Sequence, residues 1–394
     1  GQRWFGEKFG HAFSRTVTLN CPDQVSGEPA RVKISGAGRS SSVSSLEVTI
    51  NQQKQLPLIF NAVNVDNEIT LYADEKQQDY SVSLVSPVVE IGLLYSASNA
   101  LSDAWLDYIT VNRRRQLRIT ADELFFRDTR SVGAGNVASF ILENGSADLK
   151  IWDITEPADI FEVPVTRQGT QIQFIRPASS LREYVAFRTS GNFPEPVMAG
   201  EVPNQDLHAL PVPELLIISH SDFMDAAEQV AAFHRTNDNM EVVVVSSAQV
   251  YNEFGSGSPD ATAIRNFIRM CRDRSSKIKY VLLFGDGSYD NRNINGVNRN
   301  FIPTFQSENS LVPTSSFVSD NYYVILDRGE SVYNGLMDLG IGRLPVSTPY
   351  EAGIVTKKIV NYYAPESLGL WRSNLCFIGD DEDGNLHMAD SEAL

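Results

Sequence analysis

Up to about residue 205 apolar and polar residues alternate in short runs. These are RTVTLN (15–20), RVKIS (31–35), LEVTIN (46–51), DYSVSLV (79–85) and WLDYITVN (105–112). Period-two alternation broken by Gly, Asn, Asp and Ser predicts antiparallel sheets. No helix-length amphipathic stretch intervenes, so a sandwich or jelly roll is the simplest way to bury one face of each strand. That domain is assigned to residues 1–120. A second series follows, FILEN (140–144), LKIWDIT (149–155), TQIQFI (170–175) and EYVAFRT (183–189), which either extends the sandwich or forms a β module. Module and linker are assigned to 121–205, and the rest of the chain to 206–394.

The stretch 192–214 holds five prolines, which remove backbone donors and forbid a continuous helix or central strand. After it the period changes. PELLIIS (213–219) and MEVVVVSS (240–247) are apolar strands, and between them 221–237 is helical with Ala226, Val230 and Phe233 on one face. The helix within 259–273 places Ile264, Phe267, Ile268 and Cys271 at i, i+3, i+4 and i+7, and KYVLLFGD (279–286) supplies a third buried strand. Such alternation predicts a parallel sheet with helices on both faces. A helix over 348–363, a fourth strand at NLCFIGDD (374–381) and the start of a helix at 387–394 complete the pattern. A doubly wound domain that ends there is expected to be only the first part of its fold.

Among 394 residues the net charge is -16, with 42% hydrophobic and 10% aromatic residues. This is an ordered chain without the basic footprint that nucleic acid requires. Cys21, Cys271 and Cys376 form no CxxC pair, so no zinc knuckle is signalled. One disulfide is possible and none is required. Cys271 on an apolar helix face and Cys376 inside an apolar strand are expected to pack as small hydrophobes. No run approaches the ~20 apolar residues of a membrane span, and no signal segment stands at Gly1. The chain is therefore either cytoplasmic or trimmed of an export signal; the absence of an initiator Met favours trimming.

Ligands of open α/β sheets sit beyond the carboxyl ends of the strands. Two acidic signals fall there, Asp286 in YVLLFGDGSYDN (280–291), flanked by Gly285 and Gly287, and Asp320 in VSDNYY (318–323); a third carboxylate, Asp338 in GLMDLGIGRLP (335–345), stands just ahead of an apolar strand at Ile341, Gly342 and Arg343. They suit a hard cation such as calcium, or else cap turns. The acidic run Asp380 to Asp383 reads as a solvated turn, and paired carboxylates there serve acid–base work only if burial separates their pKa values. The five histidines lie in loop or helix contexts, GAGRS (36–40) lacks a P-loop lysine, and the loop SHSDFMD (219–225) lacks the glycines of a dinucleotide site.

The run YVLLFGDGSYDN, VSDNYY, LGIGRLP resembles the gingipain family of cysteine peptidases. GSPDATAIRNFIR (257–269), WLDYITVNRRR (105–115) and IWDIT (151–155) are similar to its PorU-type sortases of the type IX secretion system. The resemblance implies a multidomain β plus α/β protein: a jelly-roll-like β-sandwich followed by the first part of a caspase-like doubly wound domain. It implies catalytic His and Cys residues on later strands, and no position of this chain matches their motifs. It implies a structural calcium on Asp286, Asp320 and Asp338 with a main-chain carbonyl near Tyr322, although an insertion at 324–334 separates the last carboxylate from the aromatic pair. By the same resemblance a carboxylate assisting the dyad falls at Asp381 or its neighbour Asp380, and the substrate pocket near His387. The function implied is cleavage of C-terminal secretion signals at the bacterial surface, with protein cargo and secretion-system components as partners. The rival reading is a non-catalytic surface protein that binds through its sandwich.

Overall fold

A computed structural model describes residues 2–198, 200–296, 299–380 and 382–393. It divides the chain into two compact units, one of Arg3–Val202 with Asn309–Ser315 and one of Pro203–Glu308 with Ser316–Leu394 and the first two residues. The first unit opens with β1 (Lys8–Gly10), β2 (Ser14–Asn20), β3 (Pro29–Arg39), β4 (Ser44–Ile50), β5 (Gln53–Lys54), β6 (Leu58–Phe60), β7 (Asp74–Ser83), β8 (Val88–Ser96) and β9 (Asp103–Asn112). Their antiparallel sheets, ordered β1-β9-β3-β7 and β2-β8-β4-β5 with β6 on β4, share one core. Every second residue of β4, from Leu46 through Val48 to Ile50, points into that core, as period-two alternation requires.

The unit continues with β10 (Glu123–Arg127), β11 (Val137–Leu142), β12 (Leu149–Asp153), β13 (Phe161–Glu162), β14 (Thr166–Gln168), β15 (Gln171–Pro177) and β16 (Glu183–Arg188). They form two further sheets, ordered β10-β16-β12-β13 and β11-β15-β14. An aromatic cluster fills the space between, with Phe140 and Phe174 stacked at 5.0 Å and Tyr184 edge-on to Phe174 at 5.1 Å. Stacked and edge-on pairs add stability beyond the area they bury.

The second unit holds β17 (Leu215–Ser219), α1 (Met224–Asn237), β18 (Val242–Ser246), α2 (Ser247–Phe254), α3 (Ala261–Arg274) and β19 (Tyr280–Phe284). After two short paired strands, β20 (Phe305–Gln306) and β21 (Val318–Ser319), come β22 (Gly340–Leu344), α4 (Pro349–Tyr362) and α5 (Glu382–Ala393). The sheet is parallel, ordered β18-β17-β19-β22. All five residues of β17 are buried, which is why a central parallel strand reads as an unbroken apolar run. Helices α1 and α4 cover one face and α2 and α3 the other. The sequence pattern overlooks α2 because no loop precedes it. The Ser246 hydroxyl accepts from Gln249 N while the Gln249 side chain accepts from Ser246 N, a capping box that turns strand directly into helix.

One expected strand does not form. NLCFIGD (374–380) joins no sheet, and Leu375, Phe377 and Ile378 are exposed, as is Cys376, which is not the core residue expected of it. Apolar composition does not by itself make a strand, whose backbone groups must pair with an edge, and this segment pairs with neither outer strand of the sheet, β18 or β22. Helix α5 begins five residues before the expected start at 387. Cys271 is buried on α3, as its spacing predicts.

Asp153, at the end of β12, is 1% exposed. Burial raises its pKa, but hydrogen bonds from Thr155 and the ion pair with Arg182 at 2.8 Å outweigh that and leave it lowered. A lowered folded-state pKa contributes stability above the unfolded value of about 3.9 and loses it as pH falls through the folded value. Acidification from pH 5 to pH 3 therefore destabilises the native chain more than Asp153→Asn, measured as the shift in thermal midpoint. Equal shifts would show that the pair contributes no pH dependence.

Candidate active site

The carboxyl edge of the parallel sheet is built by backbone bonds that outrun the strands. His220 N donates to Phe284 O at 3.1 Å, Gly285 N to Leu344 O at 3.0 Å, and Asp286 N to Val346 O at 2.9 Å. Asp286 is thereby fixed two residues past β19, where its Oδ1 accepts from Gly287 N at 2.9 Å and its Oδ2 from Ser347 Oγ at 3.4 Å. The flanking glycines answer a packing demand. Gly285 has φ +143°, and a Cβ on Gly287 would lie 2.9 Å from Ile302 O and 2.5 Å from Thr304 Cγ2. The segment 301–304 thus crosses the strand end at backbone contact, which only glycine permits. Four residues on, Asp290 is 5% exposed and accepts from Ile294 N and Asn295 N at 2.8 Å each, so it organises the loop from within.

The residue that ties this edge together is Arg343 of β22. Its Nε and Nη2 each meet an Asp320 carboxylate oxygen at 2.7 Å; Nη1 donates to Gly285 O and Ile302 O at 2.8 Å, and Nη2 also to Pro303 O at 3.2 Å. All five guanidinium N–H groups are used, with the side chain 11% exposed. Burial pulls the Arg343 pKa down; the hydrogen bonds and charge of Asp320 more than reverse this and leave it raised. The signal was in the sequence: an arginine inside a strand of a buried parallel sheet needs a carboxylate. Beside it Tyr323, fully buried, donates to Pro303 O, and burial raises its pKa. Tyr322 stacks on Phe305 at 4.6 Å and shares a hydrogen bond with Thr262 Oγ1 at 3.1 Å.

Asp286 stands past the carboxyl end of β19 and Asp320 just past β21, but Asp338 lies two residues before β22, at the amino end of the parallel sheet, so the three do not converge at the carboxyl edge and the structure gives them separate tasks. Asp338 accepts from Leu326 N at 2.8 Å and donates its own N–H to Val324 O at 2.9 Å, closing the inserted loop upon itself. Asp320 already neutralises a guanidinium. Among the described residues, the group of carboxylates and imidazoles whose ligand atoms all lie within 4.8 Å is Asp206, His208 and Glu253, not these three. As arranged, the three carboxylates do not fit one shared calcium, since a second cation at Asp320 would compete with Arg343 for the same oxygens. The Asp206 group is also engaged: Glu253 accepts from Leu207 N at 2.8 Å and Gln205 Nε2 at 2.8 Å and meets His208 Nδ1 at 2.7 Å, while Asp206 caps Ala209 N at 2.9 Å. Asp381 lies outside the described residues. His387, exposed on α5, meets Asp380 Oδ1 with Nδ1 at 2.9 Å.

The thiols offer no activated nucleophile in the α/β core. Burial pushes Cys271 up to about 11, so it is neutral near pH 7, and it is 5% exposed. The imidazoles of His208 and His234 are held by Glu253 and Asp238 at 2.7 and 2.6 Å, and His220 Nδ1 accepts from Asp222 N at 3.3 Å.

Residues 208–394 match the family model for peptidase family C25. The crystal structure of dimeric latent PorU from Porphyromonas gingivalis superimposes with a TM-score of 0.83 at 25% identity, over 98% of this chain. The chain spans 38% of the length of that protein. A xylanase CBM36-1 domain from the hindgut metagenome of Trinervitermes trinervoides (12% identity, 29% of this chain, 89% of that chain) has a TM-score of 0.21. An insecticidal delta-endotoxin of Bacillus thuringiensis (18% identity, 27% of this chain, 19% of that chain) has one of 0.23. Neither of these two bears on fold or function. No curated protein matches the chain in sequence.

Removing one partner of a buried ion pair costs about 3–5 kcal/mol, whereas replacing both by apolar groups costs much less. Asp320→Ala is therefore expected to destabilise the second unit by about 3 kcal/mol, and the double variant Asp320→Ala/Arg343→Met by less than the sum of the single changes. Denaturant midpoints measure both; strict additivity would mean that the pair is not coupled.

Proposed function

Residues 208–394 match the family model for peptidase family C25, and on that premise we propose that the chain is the N-terminal part of a sortase-like cysteine endopeptidase. Its substrates are secreted proteins of the type IX pathway, whose C-terminal secretion signals it removes at the bacterial surface in concert with secretion-system components. The observation that carries the reading is the likeness to PorU over 98% of the chain, across both the β region and the α/β region. The family's chemistry needs a thiolate to attack the scissile carbonyl and an imidazolium to protonate the leaving amine, leaving a thioester for water or a second amine to open. In this reading both groups come from chain beyond residue 394, because Cys271 is buried and neutral. What residues 208–394 supply is the rigid carboxyl edge on which such groups must converge, held by Arg343 and Asp320.

A second reading, a non-catalytic binding protein, is favoured by one feature. Trp152, Phe187 and Phe193 form a ladder at 4.7 and 5.9 Å, and Trp152 and Phe193 are exposed. Exposed aromatic clusters mark binding faces more often than chance.

Cleavage of a fluorogenic peptide spanning a C-terminal signal junction separates these readings. The 394-residue polypeptide is expected to give no turnover, and the polypeptide extended through the downstream chain is expected to cleave. Turnover by the 394-residue form that disappears in Cys271→Ser would refute the assignment of the nucleophile. An extended chain without activity would leave binding as its function.

A further inference from the structure

In the β unit two strand edges stand open beside one groove. β11 is the outer strand of β11-β15-β14 and β10 the outer strand of β10-β16-β12-β13. Residues of both line a groove of about 680 Å³. Among the described residues, no backbone group of Glu123–Arg127 or Val137–Leu142 bonds outside its own sheet. Open edges of this kind template the pairing of another strand.

The β11 edge already accepts a strand at one end. One residue past β11, Glu143 N donates to Leu117 O at 2.8 Å and Ile119 N donates to Glu143 O at 3.0 Å, a parallel bridge centred on Arg118. The residues before Leu117 do not carry this pairing along β11. They turn to the segment at 23–25 instead: Gln116 N donates to Asp23 O at 2.8 Å, and Val25 N to Arg114 O at 3.1 Å. The edge is thus shown to pair, and its length from Val137 to Leu142 is left vacant. Along it Val137 and Ile141 are 65% and 51% exposed, apolar side chains on the alternation that a strand neighbour would cover.

The groove is also chemically selective. Its lining holds Arg31, Arg113, Arg114, Arg115, Arg127 and Arg130 against a single acid, Asp128, in a chain of net charge -16. Five of these arginines meet carboxylates at the rim, namely Asp79, Asp128, Asp23, Glu183 and Glu28, and Arg113 donates to Pro22 O. Each guanidinium has five donors, and a rim ion pair uses one or two of them. Exposed pairs are also weak and exchange readily. An incoming carboxylate finds spare donors, whereas an incoming ammonium finds every nearby carboxylate taken.

We infer that the open β11 edge accepts an extended acidic peptide segment by strand addition, with its carboxylates held by the arginines that wall the groove. Main-chain hydrogen bonds supply affinity and the arginines supply selectivity. This inference does not rest on the peptidase reading.

The test uses the full 394-residue chain and a fluorescein-labelled decapeptide of alternating valine and glutamate, followed by fluorescence anisotropy. Replacing glutamate by lysine is expected to weaken binding at least tenfold, and so is N-methylation of alternate amides, which preserves charge and removes the ladder. The double variant Arg114→Glu/Arg127→Glu is expected to weaken the glutamate peptide by a similar factor, with its far-UV circular dichroism unchanged. If that variant fails to fold, hydrogen exchange on the native chain decides: bound peptide must slow exchange at Val137–Leu142. Equal affinity for the N-methylated peptide overturns the proposal in favour of a general polyanion site. Equal affinity for the lysine peptide, absence of binding, or exchange protection elsewhere overturns it outright.

Discussion

A guanidinium taken out of water must find partners for every N–H, and Arg343 does so by drawing four separate stretches of chain to one point. It stands on β22, level with Leu283 of β19. From there it reaches the carbonyl that follows β19, the carbonyls of Ile302 and Pro303, and the carboxylate of Asp320. The desolvation cost of such a buried charge is recovered only when the geometry is complete. The loops that would otherwise wander over the sheet's carboxyl edge are therefore held in one arrangement, and the glycines at 285 and 287 are what let them approach closely enough to be held.

The acidic residues that the pattern singles out do not gather, and Asp338 stands at the opposite, amino end of the sheet. Asp320 is drawn to Arg343, Asp286 is pinned by the backbone N–H of Gly287, and Asp338 closes its own loop onto Leu326. Each carboxylate has a local partner, a guanidinium or a backbone donor.

The β unit solves a different problem. Two pairs of packed sheets leave outer strands, and proteins commonly blunt such edges with charge. Here the charge around the β10 and β11 edges is largely arginine, paired at the rim with acids from other strands. That arrangement keeps the edges soluble in a strongly acidic chain while leaving guanidinium donors beside an unused ladder.

Local pattern alone was enough to place the all-β region, the proline-rich linker and the βα alternation, because burial imposes period two on a half-covered strand, an unbroken apolar run on β17, and the i, i+3, i+4, i+7 spacing of Ile264, Phe267, Ile268 and Cys271 on α3. Those are properties of one element facing one core. The sequence also put Asp286 and Asp320 just past strands and Asp338 just before one. What each carboxylate binds was decided only in three dimensions, because Arg343 and Asp320 are 23 residues apart in sequence and meet through the fold. The failure of NLCFIGD to become a strand has the same origin. An apolar run states that a segment would gain by burial, but only a neighbouring edge, which tertiary structure alone provides, can accept its backbone hydrogen bonds.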